Sequence, residues 1–224
     1  MNTIGIIVAM DKELASLKTL LSDIKEETFG QFSYITGTMD DKRVVLHKCG
    51  LGKVNAAVGA VEFINHYHPT YLISSGVAGG IDTEVKIMDV VVARQLVYHD
   101  AYVGEEGEGM DIVNPYPVSD HLLQKAKELA LPQVKFGTIC TGDQFITDKA
   151  KLEDIKRRYP DGLAVDMESC AIAHACKIKN TPFISMRIIS DTVGSTEHVE
   201  EYMNFWATIA DNSFSTLSTF IKSL

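Results

Sequence analysis

Three carboxylic acids stand where apolar strand-like runs give way to other structure. Glu13 lies just beyond the run Thr3–Val8, Glu168 follows Ala164-Val165-Asp166-Met167, and Asp191 ends the run from Phe183 to Ser190. A carboxyl group can donate a proton when neutral, accept one when ionised, and stabilise positive charge beside it. Arg187, four residues before Asp191, adds a fixed cation that can order acceptors and water. Taken singly, an acid at a strand end caps a helix or faces solvent. Three of them at strand-to-helix transitions can converge on one crevice and carry acid–base chemistry.

The elements that must bring them together alternate along the whole chain. Thr3–Val8 reads as a buried strand. Phe32 to Thr38 and Arg43 to Lys48 read as a hairpin turning at Met39-Asp40-Asp41-Lys42. Further strands fall at Tyr71 to Ser74, Ile87 to Ala93, Val134 to Cys140 and Phe183 to Ile188, and the unbroken apolar run Val90-Val91-Val92-Ala93 suits a sheet covered on both faces. Between them, Leu14, Leu17, Leu21 and Ile24 share one helical face, as do Val54, Ala57, Val58, Val61 and Ile64. Ser119 and Asp148 are placed to cap two more helices. A small-residue helix spans Met167 to Ile178, and Glu201 to Ile221 closes the chain. The irregular stretch Gly104 to Pro117 is long enough to be a functional loop. No repeat or Pro/Gly linker divides the sequence, so the expectation is one α/β domain over residues 1–224, a mixed central sheet flanked by helices in three layers.

Composition narrows the class. The chain has 224 residues with 21 Lys+Arg against 30 Asp+Glu, a formal charge of −9, which opposes non-specific nucleic-acid binding because that needs cations to displace counterions. No apolar run reaches the roughly 18–20 residues that span a bilayer, so no membrane association is expected. The start MNTIGIIVAMDKE lacks the basic region of a signal peptide. Four scattered cysteines without a CxxC pair fit a cytoplasmic protein with reduced thiols.

Familiar ligand motifs are absent. Gly50-Leu51-Gly52-Lys53-Val54 fails as a Walker loop, because His47 stands where the first glycine belongs and Val54 replaces Ser/Thr. It fails as a dinucleotide fingerprint, because Asn55 holds the third glycine position. Gly76-Val77-Ala78-Gly79-Gly80 contains no serine and is not a nucleophile elbow, although its glycines permit close backbone approach to a ligand. His66-Tyr67-His68 at a helix end gives no metal pattern. Neither a metal nor a cofactor is expected.

Taken together, seven segments resemble the 5'-methylthioadenosine/S-adenosylhomocysteine nucleosidases of the nucleoside phosphorylase superfamily. They are Ile4 to Glu13, Gly50 to Ala57, Ser75 to Gly80, Tyr98-His99-Asp100, Thr141 to Ile146, Val165 to Glu168, and Arg187 to Asp191. Their shared order covers nearly the entire chain. The resemblance implies a nucleoside phosphorylase-like fold and hydrolysis of the N9–C1' bond of a 5'-substituted adenosine: 5'-methylthioadenosine, S-adenosylhomocysteine or 5'-deoxyadenosine. It also implies roles. Asp191 matches the acid that protonates N7 of the leaving adenine, with Ser190 orienting it. Glu13 matches the residue that polarises the attacking water, and Arg187 is expected to order the water network. Glu168 matches the acid that binds the ribose hydroxyls, with Met167 under the sugar. Phe145 corresponds to the residue stacked on adenine, and the backbone around Ile146 to the groups that read its edge. Val77, Ala78 and Gly79 form the glycine turn beside the water site. Leu51 and Val103 match the lining for the 5' substituent, and Tyr202 is expected as an aromatic lid.

Three departures from the family pattern stand out. Val77 replaces a common serine, Asp166 replaces the usual glutamate, and the segment Ala101 to Gly109 replaces Phe-Gly and Tyr-Gly pairs. The family pattern also implies a homodimer, built on the 104–117 loop and the helix from Val54. Two other readings are open at this point. One is a purine nucleoside phosphorylase, which needs cations to hold phosphate. The other is a non-catalytic nucleoside-binding protein on the same scaffold.

Overall fold

The computed structural model describes residues 3–104, 110–192, 198–208 and 214–224. Its framework is a ten-stranded mixed sheet, ordered β10-β6-β8-β9-β5-β1-β4-β3-β2 with the short β7 beside β6. The strands are β1 (Thr3–Val8), β2 (Ser22–Phe29), β3 (Phe32–Met39), β4 (Lys42–Lys48), β5 (Tyr71–Gly80), β6 (Val90–Tyr98), β7 (Tyr116–Pro117), β8 (Val134–Thr141), β9 (Gly162–Asp166) and β10 (Phe183–Thr192). Because β10 pairs with β5 as well as β6, five strands (β5, β10, β6, β8 and β9) close on one another at one end of the sheet. Helices α1 (Asp11–Lys18), α2 (Lys53–Tyr67), α3 (Asp120–Glu128), α4 (Lys149–Arg158), α5 (Ser169–Lys179), α6 (His198–Thr208) and α7 (Ser215–Ser223) flank it, giving the expected three-layer α/β/α arrangement.

Non-local pairing explains most differences from the sequence reading. The helix expected to run through Ile24 stops at Lys18, and Ser22–Phe29 forms an exposed edge strand antiparallel to β3. Lys25, Glu26 and Glu27 are helix-compatible residues, but charges of this kind also protect a sheet edge from further pairing. On α2 the buried face is Ala56, Gly59, Ala60, Phe63 and Ile64, whereas Val54 and Val58 are exposed. Small residues let the helix approach the sheet closely: a Cβ at Gly59 would stand 2.9 Å from both His47 Nε2 and Cys49 Cβ. Strand β9 was hidden in the approach to Glu168, and α5 starts two residues later than the reading placed it, because Met167 and Glu168 form the turn. Asp148 caps α4 through the Ala150 N–H, while Ser119 holds its cap position without a side-chain hydrogen bond. Of the closing helix, expected over Glu201 to Ile221, the described residues form α6 and α7, and residues 209–213 lie outside the described set. Of the irregular 104–117 stretch, residues 105–109 lie outside the described set, and a 3-10 turn at Asp111–Val113 leads into β7.

Candidate active site

Each expected site segment follows the carboxyl end of a strand or forms that end, the usual place for a ligand crevice in α/β sheets. There six of the seven, all but Tyr98-His99-Asp100, contribute to the wall of a cavity of about 450 Å³.

Glu13 reaches it from the first turn of α1. Its Oε2 accepts from the N–H groups of Ala9 and Met10, both at 2.9 Å, and its Oε1 accepts from Val77 N–H at 3.0 Å. An ordinary helix-capping glutamate makes the Met10 contact alone; this one is 1% exposed and joined to β5. Burial raises its pKa, opposed by Arg187 and the three N–H donors. Val77, which stands where a hydroxyl was expected, thus serves Glu13 through its backbone. Gly76 has φ +145°, and a Cβ there would collide with Arg187 Nη1 and Glu13 Oε1.

Asp191 is aimed by a β-bulge. The β10–β5 register slips between Ile189, opposite Ala78, and Asp191, opposite Gly79. Successive side chains of a regular strand point to opposite faces, yet Ser190 and Asp191 both line the cavity. Ser190 Oγ donates to Asp191 Oδ1 at 2.7 Å. Gly79 gives the other oxygen room, since a Cβ there would approach Asp191 Oδ2 to 3.1 Å.

Glu168 lies in the β9–α5 turn, its Oε1 accepting from Gly52 N–H at 2.9 Å. Burial, with help from Asp166 and Glu13, pushes its carboxyl up to about 7 against the pull of Arg187 and Gly52 N–H. Met167 beside it lines the same wall, as do Leu51, Ala78, Phe145, Ile146 and Tyr202. Tyr202 meets Phe145 edge-on with ring centroids 5.8 Å apart and donates its hydroxyl to Met10 Sδ at 3.2 Å.

Two expected residues do not line the cavity. Arg187 lies behind the wall, 1% exposed, with Nε donating to Asp166 Oδ2 at 2.8 Å and to Ser169 Oγ at 2.9 Å. Its Nη1 donates to Ser75 O and its Nη2 to Ser74 Oγ, leaving Glu168 Oε2 at 3.9 Å. The strand-end carboxylate Asp166, rather than a ligand, takes its charge. Val103 is half-buried beyond β6 and forms no part of this chain's cavity wall. Sequence reasoning noted Asp166 only as a departure from the family pattern and did not place it at the cavity, and it also missed the lining residues Ala9, Met10, Gln144, Val165, Val199 and Met203. Their apolar or neutral side chains carry no chemical signal apart from neighbouring the residues that do.

Comparison with known proteins places this arrangement. A model of the phosphorylase superfamily matches residues 3–222. A 5'-methylthioadenosine/S-adenosylhomocysteine nucleosidase of Marinomonas sp. strain MWYL1 is 36% identical over 232 residues, covering 99% of each chain. The nucleosidase of Neisseria meningitidis in complex with methylthio-immucillin-A superposes with a TM-score of 0.92 at 31% identity, covering 100% of both chains. The Colwellia psychrerythraea enzyme in complex with adenine gives 0.90 at 32% identity, covering 100% of this chain and 96% of its own. The chain belongs to the phosphorylase superfamily and, within it, to the 5'-methylthioadenosine/S-adenosylhomocysteine nucleosidase family.

Proposed function

We propose that the protein hydrolyses the N-glycosidic bond of 5'-substituted adenosines, releasing adenine and the 5-substituted ribose. The observation that carries this choice is the charge of the cavity wall. Glu13, Asp166, Glu168 and Asp191 line it, and no lysine or arginine does. All 21 Lys and Arg residues fall among the described residues, so none is hidden in the segments outside them. Phosphate, the nucleophile of a phosphorylase, would meet carboxylates there and no cationic partner. Water meets no such penalty, and an acidic wall favours a cationic ribosyl transition state over a neutral substrate.

In this reading Asp191 gives a proton to N7 as the N9–C1' bond breaks, and adenine leaves neutral. Glu13 accepts a proton from the water that adds to C1'. Burial, which strengthens Glu13 as a base, supports that role. Glu168 accepts hydrogen bonds from the ribose hydroxyls, a task suited to a group that only accepts when ionised. Phe145 stacks on the base, and Leu51, Met10, Val199 and Met203 offer the 5' substituent an apolar surround. The three acids around one cavity support catalysis over mere nucleoside binding.

The reading includes a cytoplasmic homodimer. Four free thiols fit a reducing compartment. Exposed Val54 and Val58 lie one turn apart on α2, and Tyr102, Met110 and Ile112 are also exposed, surface that a second copy can cover. A dimer also accounts for Val103, which can line the partner's cavity while standing off its own. Sedimentation of a fully active monomer at assay concentration would remove the dimer from this account.

The test of the function is product analysis with 5'-methylthioadenosine in phosphate-free buffer. Equimolar adenine and 5-methylthioribose are expected. Absence of adenine release would overturn the proposal.

A further inference from the structure

Leu51, Phe145 and Glu168 belong to three different loops, and these loops are tied together by a lysine that lies outside the cavity. Lys53 opens α2, and its ammonium donates to both oxygens of Asp100, at 2.8 and 2.7 Å, while standing 3.7 Å from Asp143 Oδ2. Its backbone N–H donates to Asp143 Oδ1 at 2.7 Å, and Asp143 N–H donates to Asp100 Oδ2 at 2.9 Å. The amide before it, Gly52 N–H, holds Glu168 Oε1. Burial acts to raise the Asp100 carboxyl, but the Lys53 ammonium and the Asp143 N–H outweigh it and hold the group below its ordinary range. The turns are in close contact: Gly52 has φ +89°, and a Cβ there would stand 3.0 Å from Asp143 Oδ1.

We propose that Lys53 is a positioning residue: by bridging Asp100 and Asp143 it fixes the turn that presents Phe145 and, through Gly52, the carboxylate of Glu168. What the pocket holds rests on the nucleosidase reading; the clamp itself rests on the contacts above. Lys53, Asp100 and Asp143 do not line the cavity, so loosening them disturbs the walls on the base and sugar sides without removing a proton donor or acceptor. An isolated surface ion pair contributes little. Here the Lys53 and Asp100 side chains are only 26% and 15% exposed, and four hydrogen bonds from three donor nitrogens converge on two acids.

Three variants test this: Lys53→Met, Lys53→Arg and Asp143→Ala. Loss of one charge-assisted clamp should raise KM for 5'-methylthioadenosine about tenfold in Lys53→Met while kcat stays within about threefold. Lys53→Arg should recover most of the loss, and Asp143→Ala, altered at a half-exposed position, should reproduce it. In the ligand-free protein, amide hydrogen exchange across residues 143–146 should accelerate in Lys53→Met and return towards wild type in Lys53→Arg. Unchanged KM and exchange in Lys53→Met, or a fall confined to kcat, overturns the proposal. If wild-type protein releases no adenine, the nucleosidase reading fails on its own. Exchange across 143–146 then decides the clamp, acceleration supporting it and an unchanged rate rejecting it.

Discussion

Ser190 and Asp191 are consecutive residues of one strand, yet both face the same cavity, and the serine hydroxyl donates to the aspartate Oδ1 at 2.7 Å. The bulge opposite Ala78 and Gly79 makes this possible by breaking the alternation of β10. If Asp191 supplies the proton to the leaving base, Asp191→Asn should lower kcat by about 10²–10⁴-fold, the usual worth of a general acid. Adenine binding should be largely retained. Ser190→Ala removes the orienting contact, along with a longer one to Ala78 O at 3.3 Å, and should cost about tenfold in kcat. Steady-state kinetics with 5'-methylthioadenosine checks both; an Asp191→Asn enzyme with undiminished turnover sinks the acid assignment.

Glu13→Gln isolates the opposite end of the reaction. The amide retains an oxygen for some of the three N–H donors around it but cannot take a proton from water. Adenine release should fall by at least about 10²-fold with adenine affinity preserved. Wild-type turnover in this variant rules Glu13 out as the base.

The raised carboxyl of Glu168 gives a pH signature. Ribose hydroxyls need the ionised form, so kcat/KM should climb with pH through a limb near 7 that Glu168→Gln abolishes. Stability moves the other way. The folded protein keeps this proton up to about 7, whereas the unfolded chain releases it near 4.5, so folding gains from the group below 4.5 and loses that gain as pH rises towards 7. Glu168→Gln should therefore gain in Tm relative to wild type across that window. Because Asp166 is one of the groups raising Glu168, Asp166→Asn should shift the kinetic limb to lower pH. A limb that stays in place in both variants belongs to another group.

Gly76→Ala tests the seam between Arg187 and Glu13. Its φ of +145° and the collision of a Cβ with both side chains leave no relaxed position for alanine. We expect a loss of about 2–3 kcal/mol, read by denaturant unfolding. A change below about 0.5 kcal/mol, the range of ordinary surface substitutions, contradicts the described geometry.

How far the sequence was legible follows from what kind of interaction decides each feature. Glu13, Glu168 and Asp191 could be singled out because acids interrupt apolar strand ends, and the structure gathers all three at one cavity. The hairpin of β3 and β4 and the body of α2 were legible from local periodicity. Strand β2 was not, since pairing with β3, and not the composition of Ser22–Phe29, decides its state. Arg187 showed its charge in the sequence but not its partner: only the fold brings Asp166, 21 residues away, to its Nε. The Ser190 bulge left no local mark, because it is a property of register between β10 and β5. For the same reason the sequence could exclude a phosphate loop around Lys53 but not show its partners: only the fold brings Asp100 and Asp143 to its ammonium.

The most direct test of the central claim is the initial rate of adenine release from 5'-methylthioadenosine as phosphate is titrated from none upward. A wall to which the described residues contribute four acids and no lysine or arginine predicts a rate independent of phosphate, with free 5-methylthioribose as co-product throughout. A rate that vanishes without phosphate and saturates with it, yielding the sugar 1-phosphate, would contradict the account.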